Sequence, residues 1–195
     1  YKVKSDEEKV EALHLLLQKN QPASTVVFCN TKVMTQFVAD ELSRFGFSAL
    51  ALNGDLEQRD RDQVLMRFSS KAISIIVATD VAARGLDIDG LDAVVNFELS
   101  RDPEVHVHRI GRTGRAGESG TAYSFYSDTD SYKISLISDE FNLEIKPSLL
   151  PDVSVLSKPA FRPTMACIQI DGGKKDKLRP GDILGALTST NSIQG

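Results

Sequence analysis

The sequence predicts an α/β domain built on a mostly parallel sheet. Two observations carry this. Short apolar runs recur along the first 150 positions, and each is followed by a stretch with helical spacing of its apolar residues. Strands that alternate with helices require βαβ crossovers, which lay strands of one sheet parallel. A third observation bounds the answer: the 195 residues are 41% apolar and 26% charged. Those values suit a globular chain and exclude disordered, collagen-like or disulfide-rich classes.

The elements follow in order. Ser5 precedes Asp6, Glu7 and Glu8, a helix start that places acids at the positive end of the dipole. Val10, Leu13, Leu16 and Leu17 form its apolar stripe, and Pro22 stops it. Thr25 to Cys29 reads as a buried strand. Residues 32–44 return to helix, with Val33, Phe37, Val38, Ala39 and Leu42 expected inward and Gly46 as the stop. Phe47–Leu52 is then a strand, 57–69 a helix, and Ile73–Ala78 the strongest strand. Ala93–Phe97 follows as a strand, 103–110 as a helix, Thr121–Tyr126 as a strand and 128–140 as a helix. The domain is expected to occupy residues 1–150.

The character then changes. Pro147, Pro151, Pro159 and Pro163 interrupt any period, so 146–163 reads as a linker or an extended strap, with 151–163 as the stretch between domains. Met165–Ile170 is expected as a strand, Asp171-Gly172-Gly173 as a turn, and Pro180–Leu187 as a short helix opened by proline. One strand and one helix cannot close a core, so residues 164–195 read as an incomplete second domain. The chain opens on Tyr1 without an initiator Met, which likewise predicts a segment of a longer protein. The apolar side chains Met165, Ile168, Ile170, Ile183, Leu184 and Leu187 are expected to bury against the main lobe or a second copy of the chain.

Net charge is −4. Residues 162–195 carry Arg162, Lys174, Lys175, Lys177 and Arg179 against Asp171, Asp176 and Asp182, which is net +2 and leaves −6 on the rest. A basic tail on an acidic body suits an anionic partner or a solvated surface. Cys29 and Cys167 have no His or Cys at ligand spacing, so zinc is not expected and a reducing, cytoplasmic setting is. No apolar run approaches the roughly 20 residues of a membrane span.

Three segments hold more polar residues than packing needs: Asn53-Gly54-Asp55 with Gln58, Arg59 and Arg61; Ala78 to Ile88; and His108 to Gly117. The first two follow strands, where open parallel sheets bind ligands. In the third, Arg109, Arg112 and Arg115 repeat every third position with Gly111, Gly114 and Gly117 between them. Guanidinium groups suit phosphate oxygens, and glycines allow close backbone approach.

These segments carry a resemblance. ATDVAARGLDI (78–88) and HRIGRTGRAG (108–117) resemble motifs V and VI of the DEAD-box RNA helicases, VVFCNTK (26–32) resembles motif IV, and NGDLEQRDR (53–61) resembles the glycine and Q-x-x-R motifs between them. Asn53 stands where the family usually has His. The resemblance implies a RecA-like three-layer lobe, the second of two. It implies that Arg112 and Arg115 reach ATP phosphates as catalytic fingers, that Gly85 and Asp87 lie at the nucleotide ribose, and that His108 couples the two sites. It further implies that Thr31, Gly54, Arg61 and Thr79 hold the RNA backbone. On the residues alone, Asp87 as a turn cap, His108 as a core histidine, Arg61 as a surface ion pair and Thr79 as a strand-end hydroxyl stay open.

No G-x-x-x-x-G-K-[ST] loop or DEAD-type run is present, so ATP and Mg2+ are expected to be held mainly by an N-terminal lobe, and the chain is not expected to hydrolyse ATP by itself. Residues 163–188 resemble the opening of the RRM-like RNA-binding domain of the DbpA branch of the family. That implies large-subunit ribosomal RNA and ribosome assembly. A lobe of a DNA-directed helicase and a non-catalytic docking module are the alternatives.

Overall fold

The computed structural model describes residues 1–84, 90–114, 120–142 and 144–189. Helix α1 (Asp6–Asn20) starts at Ser5, whose side chain accepts from the Glu8 N–H, and ends in a left-handed Gln21 just before Pro22. Strand β1 (Thr25–Phe28) and helix α2 (Lys32–Arg44) follow. Next come β2 (Ala49–Leu52), α3 (Gln58–Ser69), β3 (Ile75–Ala78) and the single-turn α4 (Asp80–Ala83). The lobe continues with β4 (Ala93–Asn96), α5 (Pro103–Ile110), β5 (Thr121–Ser124) and α6 (Ser131–Phe141). A last helix, α7, spans Pro180–Thr188.

The five strands form one parallel sheet in the order β2-β3-β1-β4-β5. Period-two alternation sorts the side chains to its faces. Val27, Ile75, Val77 and Val95 meet α1 and α2 on one side, through Leu13, Leu16, Leu17, Val38 and Leu42. Val26, Phe28, Ile76 and Val94 meet Val64 of α3 and Ala82 of α4 on the other. Both faces are covered, which is why the inner strands are apolar throughout rather than alternating with polar residues. This is the three-layer, RecA-like arrangement.

Three expectations are corrected. Val33 and Phe37 of α2 are exposed, at 81% and 40%. The buried stripe runs through Thr35, Val38, Ala39 and Leu42, and the two apolar residues lie beside it. Met165–Ile170 forms no strand. Against the lobe the tail side chains do not bury: Met165, Ile168, Ile170, Leu184 and Leu187 are all exposed and Ile183 is half-buried, and residues 167–171 line an open cleft with α3.

Of the two readings of the proline-rich stretch, the strap describes its contacts. Leu150 and Ala160 rest against the α1–α2 layer. A 3-10 turn at Val153–Ser157 lies on α1, where Gln18 Nε2 donates to the Lys158 carbonyl and Gln21 Nε2 to that of Pro159. No helix of the described residues is long and apolar enough to cross a membrane.

Candidate functional site

In-register pairing sets Leu52, Ala78, Phe28, Asn96 and Ser124 side by side, so the segments that leave the strands emerge along one edge. Because β3 lies between β2 and β1, the segments that carry Gly54, Thr79 and Thr31 leave adjacent strands in that order. Their order in the chain is different. Sheet order is what makes them neighbours.

Both threonines cap helices. Thr31 Oγ1 accepts from the Met34 N–H at 3.1 Å and Thr79 Oγ1 from the Ala82 N–H at 3.4 Å. A hydroxyl that accepts still has its own O–H to donate outward. Gly54 is exposed, and a side-chain carbon there would meet only Lys32 at ordinary contact distance, so packing does not demand glycine. Asn53 is buried and fixes this turn: its Nδ2 donates to Thr35 Oγ1 and its Oδ1 accepts from the Asp55 N–H, each at 3.0 Å. Lys32 pairs with Asp55 beside it.

Arg109 and Arg112 of the third segment have different surroundings. Arg109, expected among the phosphate-facing groups, is 2% exposed and engaged at every nitrogen. Its Nε and Nη2 fork onto Asp80 at 2.7 and 2.8 Å. Its Nη1 donates to Asn96 Oδ1 and the Glu98 carbonyl, and Nη2 also to Asn30 Oδ1. The guanidinium lies 5.1 Å from the centroid of the Phe28 ring. Five bonds use all five guanidinium N–H groups, so none remains for a phosphate. Arg109 locks α5 to α4 and to the ends of β1 and β4. Asn30, Asp80 and Asn96 were not singled out from the sequence; their signal was an amide or acid closing an otherwise apolar strand.

Arg112 follows α5 and is half-buried. Its carbonyl accepts from the Leu91 N–H at 3.2 Å, while Thr113 Oγ1 donates to the Leu91 carbonyl at 2.6 Å. Gly120 makes this approach possible, since a Cβ there would lie 1.6 Å from Thr113 Oγ1 and 2.5 Å from the Leu91 oxygen. Arg112 and the exposed His108 line a cavity of about 70 Å³ with Phe28, Asp80 and Arg84. His106, two positions back, is buried with an unpaired Nδ1, and burial, then the Arg109 charge, lowers its pKa. Burial pushes the Cys29 thiol up, which makes it an inert core group.

Arg61 donates through Nη2 to the Ala82 carbonyl at 2.7 Å. The expected site residues Gly85, Asp87 and Arg115 lie outside the described residues. Among the described residues no three His, Cys, Asp or Glu side chains cluster as a metal site would require.

Comparison with known proteins agrees with this geometry. The helicase conserved C-terminal domain family matches residues 8–117, and the DbpA RNA binding domain family matches 167–195. The ATP-dependent RNA helicase DbpA of Escherichia coli K12 is 52% identical over 98% of this chain, which spans 41% of that protein. An RhlB helicase of Xanthomonas oryzae is 42% identical over 94% of the chain and 31% of its own length. The chain thus spans well under half of these relatives. Among solved structures, the E. coli DEAD-box protein SrmB superposes with a TM-score of 0.70 at 29% identity, covering 87% of this chain and 95% of that one. A DEAD-box protein from Methanococcus jannaschii gives 0.68 at 42% identity over 75% of this chain and 40% of its own. With the parallel sheet, the shared strand-end ledge and the arginine-bearing segment after α5, these matches show that the chain belongs to the DEAD-box RNA helicases, as a C-terminal lobe of the DbpA type.

Proposed function

We propose that this chain is the second motor lobe of an ATP-driven RNA helicase, and that Arg112 and Arg115 complete an ATP site held mainly, with Mg2+, by an N-terminal lobe. The observation that carries it is the place of Arg112, which lines the cavity with His108 on a segment pinned to Leu91. The adjoining cavity of about 70 Å³ is far below the roughly 300–1,000 Å³ of pockets that enclose small ligands, which supports a site shared between two lobes. A guanidinium held ready neutralises charge that develops on the transferred phosphoryl group. Gly85 and Asp87 serve the ribose, and His108 couples nucleotide and RNA sites.

Thr31, Gly54 and Thr79, on segments that leave three adjacent strands, offer two hydroxyls and an open backbone. That arrangement suits phosphate and sugar contacts, which give affinity without reading sequence. Preference for a particular RNA falls to the segment that matches the DbpA RNA binding domain, with large-subunit ribosomal RNA in the cytoplasm as its target and ribosome assembly as its setting. The test is RNA-stimulated ATPase of the full-length enzyme with Arg112→Ala. A fall of about a hundredfold or more with RNA binding retained is expected. An unchanged rate would sink the finger assignment and favour a docking module.

A further inference from the structure

Family resemblance places Arg61 at the RNA backbone. Its geometry points elsewhere. The Nη2 group reaches the carbonyl oxygen of Ala82 at 2.7 Å, and Ala82 belongs to α4, a helix of four residues. A single turn is unstable alone, because fixing its dihedrals costs more than its hydrogen bonds return. Something else must hold α4, and the structure shows what does. At its start, Asp80 is gripped by Arg109 and Thr79 caps the Ala82 N–H. At its end, the Ala82 carbonyl is one of the acceptors a helix C-terminus leaves without an intrahelical partner. Ala82 is 2% exposed, so water is a poor substitute there. Arg61 supplies a charged donor, the stronger kind of hydrogen bond. Two arginines, one from α3 and one from α5, therefore hold α4 at its two ends.

What α4 carries at its end is Arg84. Arg84 is its C-cap and lines the cavity beside Arg112 and His108. We infer that Arg61 is a positioning residue, which orients α4 and Arg84 at its end instead of contacting RNA phosphates. This rests on the helicase-lobe reading above. The neighbouring Arg59 is also engaged away from the ledge, on Asp171 of the tail.

Salt separates the two roles. Removing a side chain that neutralises one RNA phosphate lowers the slope of log affinity against log salt by about one. In the full-length enzyme, Arg61→Met is expected to lower kcat of RNA-stimulated ATPase about tenfold or more. The RNA concentration for half-maximal stimulation and the salt slope of RNA binding should stay at wild-type values. Arg61→Lys, which still brings one charged donor to Ala82, should recover most of kcat. A raised half-saturation with a slope reduced by about one and kcat retained at saturating RNA would overturn the inference, and so would a variant that changes neither. Failure of the helicase reading shows differently, as wild-type enzyme without RNA-stimulated ATPase. Hydrogen exchange at the Ala83 and Arg84 amides, which bond the Thr79 and Asp80 carbonyls, then decides the matter. Faster exchange in Arg61→Met at unchanged Tm supports positioning, and unchanged exchange refutes it.

Discussion

The lobe and the tail contain similar local sequences with different outcomes. Ile73–Ala78 and Met165–Ile170 are both short, apolar and flanked by turn-forming residues. The first yields β3, hydrogen-bonded on both sides to β1 and β2. The second stays without a ladder. A strand draws its stability from cross-strand pairs, and a run with no neighbour has none to gain. Helices tolerate isolation better, since their hydrogen bonds are internal. Thus α5 and α7 both form, each opened by a proline, yet α5 buries His106 and Arg109 while α7 leaves Leu184 and Leu187 exposed. Local pattern suffices to specify a helix; a strand also needs an address in a sheet.

The comparison can be broken or sharpened by measurement. The largest effect is expected from Arg109→Met, which leaves Asp80 and two amide oxygens without their donor. Removing one partner of a buried pair costs about 3–5 kcal/mol, read by urea unfolding. A loss below about 1 kcal/mol would show that the ledge is held by packing alone. Glycines give the next contrast. Gly120→Ala forces Thr113 and Leu91 apart and should cost about 2–3 kcal/mol in thermal unfolding. Gly185→Ala in α7 meets nothing within 4 Å and should instead raise helix content without moving the lobe's Tm.

A smaller effect concerns pH. Burial, then Arg109, keeps the folded pKa of His106 below its ordinary 6.5, so below that pH the unfolded chain takes up the proton first. Stability is therefore full above about pH 6.5 and falls as pH drops towards the folded value, by at most about 1.4 kcal/mol per pH unit for one proton. In His106→Gln this part of the slope should vanish; an identical pH profile would refute the assignment. Smallest of all, deletion of residues 164–195 should change lobe stability by less than about 0.5 kcal/mol. Deletion from 150 onward strips the strap from α1 and should cost measurably more.

Much of the lobe was legible because each element carried its own signal: Ser5 ahead of three acids, the apolar run at 73–78, proline at the first turn of α5. The site was legible in part. Periodicity could not distinguish Arg109 from Arg112, since their difference lies in what surrounds them, and Asp80 is 29 positions from Arg109. Nor could it show Gly54, Thr79 and Thr31 as neighbours, because that depends on β3 inserting between β2 and β1. Sequence alone leaves the strap and a free linker undistinguished, because the strap's contacts use two glutamine side chains and isolated apolar residues, which leave no period. The need for Gly120 likewise comes largely from Leu91, which is distant in the chain, together with Thr113.

The Arg109 junction bears on how such a lobe can be altered. Its partners come from the ends of β1 and β4, from α4 and from α5, so four stretches of chain share one charge balance. Grafting any one of them from another protein would leave the buried Arg109 guanidinium short of a partner. Chimeras should therefore exchange residues 30, 80, 96 and 109 as a block, and a laboratory search that changes them one at a time would have to cross a poorly folded intermediate.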